Sequence, residues 1–290
     1  MSPFISVIIP TYNHAHFLGR ALQSVLDQKY NNWEAIVIDN YSTDATDEVV
    51  FGFNDNRIKL LKIHNNGIIA ASRNLGINSA KGKWLAFLDA DDFWYETKFQ
   101  TIIEILESEK YDVVSTNEIM VDISTGKKKT LRYGPFTKNF YKTMLLYGNR
   151  LSTSATVVRS SFLSDNDLLF CEDKDFITVE DYDLWLHLAL NKARFKFINV
   201  IAGEYTIHAH NSINKQELHL NNLKSLLKYH CFELSKHGLN NKIVWMQTET
   251  LFAVKKSIKT KNFIILKSIF FAHPIFVLKI FFIQFLKKYG

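Results

Sequence analysis

The chain has 290 residues, of which 47% are hydrophobic and 14% aromatic. That composition supports a substantial core, excludes intrinsic disorder and allows one large domain or a domain with an appendage. Its two cysteines, Cys171 and Cys231, have no C-x-x-C spacing. A disulfide framework and a cysteine zinc site are therefore not expected, and a reducing compartment is. The net charge is +6, yet no acidic residue follows Glu249, and eight lysines lie in that last stretch. Without them 27 basic residues face 29 acidic ones, so the basic excess belongs to a tail. This argues against a nucleic-acid binder, which would carry basic charge across its body. The first residues run straight into Ile5-Ser6-Val7-Ile8-Ile9-Pro10 without a basic leader or cleavage site, so a cytoplasmic protein is expected.

Ser6 to Ile9 is a continuous apolar run ended by Pro10, the pattern of a buried strand. Phe17, Leu18, Ala21, Leu22, Val25 and Leu26 follow at helical spacing. Trp33 to Ile38 is a second strand ending at Asp39-Asn40. Ser42 or Thr43 is positioned to cap a helix running to about Phe51. Arg57 to Ile63 reads as a third strand. Asn65-Asn66-Gly67 turns the chain into a helix from about Ile68 to Ser79, and Trp84 to Leu88 is a fourth strand. Strands alternating with helices predict βαβ units and a mostly parallel sheet, with ligands beyond the carboxyl ends of its strands. Pro10-Thr11-Tyr12-Asn13, Asp39-Asn40 and Asp89-Ala90-Asp91 all occupy such ends. The later elements are a helix over Glu96 to Glu109, strands over Tyr111 to Val121, Ser154 to Val158 and Arg194 to Val200, and a helix over Val179 to Leu190. From about Lys215 the pattern is helical.

Three carboxylates, Asp89, Asp91 and Asp92, follow the fourth strand within four residues. An ionised carboxylate is costly to desolvate unless something positive pairs with it. The nearest cations along the chain are Lys83 and Lys98. A hard divalent ion, Mg²⁺ or Mn²⁺, would supply the charge and accept phosphate oxygens as further ligands. Asp91 is the expected direct ligand, with Asp89 binding a ribose or orienting the metal shell. Asp92 either supports them or caps the following helix. Trp94, Trp185 and Trp245 are expected mostly in the core, and His14 and His16 in an exposed loop.

From Phe263 to Leu286 the tail is rich in Phe, Ile and Leu. Its longest uncharged run, Ser268 to Leu278, is interrupted by Pro274 and falls short of the ~20 residues a spanning helix needs. Apolar groups with interspersed lysines and no acid suit helices lying on an anionic membrane surface.

Five ordered motifs, Ser6 to Asn13, Val37 to Asn40, Ala71 to Gly76, Phe87 to Asp92 and Glu180 to Trp185, resemble those of family 2 glycosyltransferases. The resemblance spans about Ile5 to His210. It implies a GT-A fold over 1–212, with a nucleotide-sugar half to about 110 and an acceptor half beyond, followed by a helical region over 213–290. It also implies transfer of a sugar from a nucleotide diphosphate, most simply UDP, with inversion at the anomeric carbon. The acceptor would be a saccharide or lipid-linked hydroxyl in surface polysaccharide synthesis. Pro10, Thr11, Tyr12 and Asp39 are then expected at the base, and Arg73 at base carbonyls or diphosphate. Asp181 would be the general base, with Glu180 supporting it and Trp185 shaping the acceptor pocket. Tyr205-Thr206-Ile207-His208 resembles a Tyr-Arg-x-His segment. It makes His208 a candidate at diphosphate or metal, with His210 as a second, and Thr206 removes the usual cation. A non-catalytic nucleotide-sugar scaffold is the alternative. A Rossmann dehydrogenase lacks its G-x-G-x-x-G after the first strand.

Overall fold

The computed structural model describes residues 4–208 and 216–232. The first strands and helices alternate. β1 (Ile5–Thr11), β2 (Trp33–Asp39), β3 (Ile58–Lys62) and β4 (Trp84–Phe87) are separated by α1 (Ala15–Leu26), α2 (Thr46–Gly52) and α3 (Ile69–Ser79). All four strands are parallel, with β1 between β2 and β4. β1 and β2 are buried along their whole length, which explains why they read as unbroken apolar runs. A short β5 (Phe93–Trp94), α4 (Lys98–Glu107), β6 (Val113–Asp122) and β7 (Lys128–Leu131) follow. Then come α5 (Phe140–Tyr147), β8 (Thr156–Arg159), α6 (Ser160–Asp165), a 3-10 turn (Lys174–Phe176), α7 (Glu180–Leu190), β9 (Phe195–Ile207) and α8 (Gln216–Phe232).

Among the described residues the strands join in one nine-stranded sheet of order β3-β2-β1-β4-β8-β6-β9-β5, with β7 added to β6. β8 is antiparallel to β4 and to β6, whereas β9 is parallel to β6. Ile5, Val7, Leu22, Trp33, Trp84, Trp94 and Phe99 share one core, so three of the tryptophans are packing residues there. Trp245 lies outside the described residues.

Local expectations failed at two helix starts. Neither Ser42 nor Thr43 caps α2. Asp44 instead accepts from the Thr46 backbone N–H and hydroxyl, and the helix begins four residues later than Ser42. Asp92 caps nothing, because α4 starts after Thr97. β9 runs past Val200 to Ile207, held by β6 on one side and β5 on the other. The edge strand β7, rich in lysine, has no apolar alternation to announce it.

The chain divides into two compact units, Met1–Lys138 with Arg150–Asn222, and Asn139–Asn149 with Leu223–Gly290. The first holds the sheet. In the second, the Asn139 side chain caps α5 by accepting from Lys142 N, and the Tyr141 hydroxyl donates to the His230 carbonyl at 3.2 Å. The helical pattern expected from 215 begins as α8, while the lysine-rich tail and His210 lie outside the described residues. Among the described residues no helix is long and apolar enough to cross a membrane.

Candidate active site

The loop after β4 gives its three carboxylates three different surroundings. Leu88 N donates to Ile8 O, and the loop closes with Asp92 N donating to Asp89 O. Asp92 turns inward and is buried. It accepts from Thr206 N at 2.8 Å and from the Ser154 hydroxyl at 2.5 Å. Ser154 in turn accepts from Asp89 N. Asp92 thus ties the carboxylate loop to the end of β9, and Thr206 serves through its backbone. Burial, then the negative charges of Asp91, Glu118 and Asp89, push the Asp92 carboxyl well above the usual range.

Behind it, Lys98 is fully buried and donates to Ser154 O and the Thr116 hydroxyl. Burial lowers its ammonium to about 8 against the opposing pull of Glu118 and Asp92. The sequence names this lysine only as a cation near the carboxylates in the chain and not as a buried partner, since a lone Lys opening a helix carries no signal of burial.

Asp89 keeps 28% of its side-chain surface exposed and pairs with Arg73 at 2.8 Å. Arg73 rises from α3 and is only 4% exposed. Its other terminal nitrogen donates to Glu180 at 2.7 Å, at the first turn of α7. Burial opposes its charge, but Asp89 and Glu180 outweigh it and raise the guanidinium further. The carboxylates are therefore not without protein cations, as chain proximity suggests. The cation comes from another element.

Asp181, next to Glu180, is half-buried and accepts from Tyr182 N. Burial and the adjacent Glu180 push its carboxyl up to about 7, against the counter-pull of Arg73 and that N–H.

Asp91 lies 2.8 Å from His208 Nε2. Burial and Asp89 raise its carboxyl, and His208 opposes them. His14 is not in an open loop. It is half-buried, with its ring centroid 5.7 Å from that of His208. Asp89, Asp91 and His208 offer two carboxylates and an imidazole, a donor set that fits a divalent ion of the Mg²⁺ or Mn²⁺ kind.

On the other side, the loops after β1 and β2 are laced together. Asn13 N donates to the Ser42 hydroxyl, Thr43 N to the Asn13 side chain and Ala15 N to Asp44. Asp39 has no exposed side-chain surface. It accepts from Ser42 N and hydroxyl, with Lys62 at 3.6 Å, and so ties this loop to the end of β2. Pro10 and Thr11 are buried, and Tyr12 is 53% exposed. Tyr41 is also exposed and stacks on His64 at 3.8 Å. Trp185 is fully buried against Phe87 and Phe170. It supports the site from the core and does not line an acceptor pocket, since a side chain without surface touches no ligand.

Residues 6–163 match the family described as Glycosyl transferase family 2. The chain is 31% identical over 208 residues, 71% of this chain and 78% of the relative, to the UDP-Glc:alpha-D-GlcNAc-diphosphoundecaprenol beta-1,3-glucosyltransferase WfaP of Escherichia coli. Its fold resembles that of S. aureus TarS in complex with UDP, with TM-score 0.63, 21% identity, and 86% of this chain and 71% of that one covered. It also resembles the mannosyltransferase PcManGT from Pyrobaculum calidifontis in complex with GDP-Man and Mn²⁺, with TM-score 0.59, 16% identity, and 89% and 76% covered. With a mixed sheet built on four parallel strands, the polar loops at the carboxyl ends of those strands and a match over more than half the chain, the protein belongs to glycosyl transferase family 2 and is a GT-A glycosyltransferase.

Proposed function

We propose that the chain moves a sugar, with inversion, from a UDP-sugar to a hydroxyl of a lipid-linked saccharide acceptor in surface polysaccharide synthesis. The observation that carries this reading is the Arg73 bridge. By holding Glu180 and Asp89 to one guanidinium, it ties the first turn of α7 to the donor loop, which supports reading Asp181 as a base beside the donor's reacting end. The acceptor class and the uridine nucleotide are supported by the name of WfaP and by the UDP complex of TarS.

The reaction is a single displacement. The acceptor oxygen forms its bond to the anomeric carbon, the carbon–phosphate oxygen bond breaks, and the nucleoside diphosphate departs with the electron pair. Asp181 takes the acceptor proton, and a carboxyl held near neutrality by burial is suited to that task. Asp89, Asp91 and His208 would hold Mg²⁺ or Mn²⁺, which when bound offsets the charge of the departing diphosphate. Tyr12 offers an exposed ring to the base, and Arg73 keeps Asp89 in place. The lysine-rich tail would keep the enzyme on the inner, anionic face of the membrane, near its acceptor.

Donor binding and turnover, measured with and without chelator, test this. Asp91→Asn is expected to lose metal-dependent donor binding, and Asp181→Asn to keep binding and lose turnover. Wild-type turnover in Asp181→Asn would eliminate the base assignment.

A further inference from the structure

Thr178, two residues ahead of Glu180, has a backbone φ of +73°. Among the described residues it is the only β-branched one in the left-handed region, where a Cβ crowds the backbone. Such a conformation persists only where neighbouring groups hold it. The neighbours here come from α8. His219 Nδ1 lies 3.1 Å from the Thr178 hydroxyl and 3.2 Å from the Thr178 carbonyl oxygen. A bare Nδ1 accepts from the hydroxyl and a protonated one donates to the carbonyl, so the contact survives in either tautomer. Three residues on, and therefore on the same face of α8, Asn222 is buried and donates to Ile177 O at 2.8 Å and to Lys174 O at 3.3 Å.

These contacts hold the turn that leads into α7. Val179 N donates to Phe176 O, and Val179 O accepts from Asp183 N as the helix begins. The segment is also fastened upstream, where the Asn74 side chain on α3 accepts from Phe170 N and donates to Phe170 O. Thr178, Asp181, His219 and Asn222 all belong to the compact unit that holds the sheet. The φ of Thr178 sets the direction in which α7 departs, and with it the place of Asp181 three residues later.

We propose that His219 latches Thr178 in its left-handed conformation and thereby sets where Asp181 stands, which makes both of them positioning residues for removal of the acceptor proton. This rests on the reading of Asp181 as the base. Arg73 holds Glu180, but one ion pair fixes a point and not a direction, so the turn could still pivot about it. The latch supplies the second constraint. Without it Thr178 relaxes toward negative φ, and Asp181 shifts while the carboxylate loop after β4 stays in place. A displacement of about 1 Å at a reacting group is enough to cost ~10² in rate.

The test uses the full chain and reads amide hydrogen exchange, affinity for UDP, and UDP released from UDP-glucose and UDP-N-acetylglucosamine. His219→Ala is expected to speed exchange at Val179 and Asp183 about tenfold or more and to leave β1 and β2 unchanged. It should lower kcat about tenfold or more and keep UDP affinity within about twofold. His219→Asn, whose amide can meet the same two oxygens, should stay near wild type. Thr178→Asn added to His219→Ala should restore both exchange and kcat, because asparagine enters the left-handed region at less cost and needs no latch. Wild-type kcat in His219→Ala, a loss of UDP affinity equal to the loss of kcat, or faster exchange throughout the sheet would overturn the proposal. So would a double variant no better than His219→Ala, which would make His219 a substrate contact or a general support. Asp181→Asn separates the two levels. If it turns over as wild type does, the base reading falls, and exchange at Val179 and Asp183 still judges the latch. If it is inactive while His219→Ala keeps wild-type kcat, only the latch falls.

Discussion

Arg73 is a cation in a space nearly closed to water, and its charge is tolerable only because two carboxylates share it. Removing it leaves Glu180 buried and unpaired. Arg73→Met is expected to cost about 3–5 kcal/mol, read as a fall in the urea midpoint. Arg73→Lys should recover only part of this, because an ammonium cannot span both partners as a guanidinium does. Asp181 gives a signed pH dependence. Its folded value of about 7 lies above that of an unfolded aspartate, so its contribution to stability is fully present at acid pH and is lost as pH rises through about 7. With Asp181 as the proposed base, activity moves the other way, since a base must be ionised. kcat/KM should climb over the same window, and Asp181→Asn should lose that limb with ~10²–10⁴ of the rate. In urea at alkaline pH the same variant should be more stable than wild type by roughly 1–3 kcal/mol.

At the scale of elements, β9 is the structural link between the sheet and the carboxylate loop. Gly203 makes its pairing with β5 possible: a Cβ there would stand 2.6 Å from Phe93 O, a backbone atom that cannot swing aside. Gly203→Ala is therefore expected to lower stability by about 1–3 kcal/mol, measured by thermal or urea unfolding. Two residues beyond Tyr205–Thr206 the strand delivers His208, and Asp92 fastens that end by accepting from Thr206 N and Ser154. Because Asp92 is held well above the usual carboxylate range, an uncharged isostere should serve nearly as well. Asp92→Asn is expected to stay close to wild type in stability, whereas Asp92→Ala should lose about 1–3 kcal/mol by stranding buried donors and should loosen Mn²⁺ binding. The first four strands, with their helices, were readable along the chain because local pattern decides them: buried parallel strands are apolar without interruption, and helices repeat every third or fourth residue. β5 and β7 were not, being short pieces whose pairing is set by distant partners.

For the whole molecule, the concentration of basic charge in the last stretch predicts that the full chain cosediments with anionic vesicles and less so as salt is raised; salt-independent binding, or none, would remove the membrane role. By itself the sequence determined the fold class, the order of the motifs and their location at strand ends, because each is written within a few consecutive residues. It also brought Asp89, Asp91, Glu180 and Asp181 forward as candidate reactive groups. Only the tertiary structure decided their partners. Arg73 and Glu180 are 107 residues apart in sequence, and sheet order brings them within 2.7 Å. The same folding buried Asp39 and Trp185 and brought the His14 ring to that of His208. Burial and long-range pairing depend on which surfaces the sheet and helices close against each other, and these raise the carboxyls of Asp91, Asp92 and Asp181. A local pattern names the groups that can react, and the packing around them decides which are held in readiness.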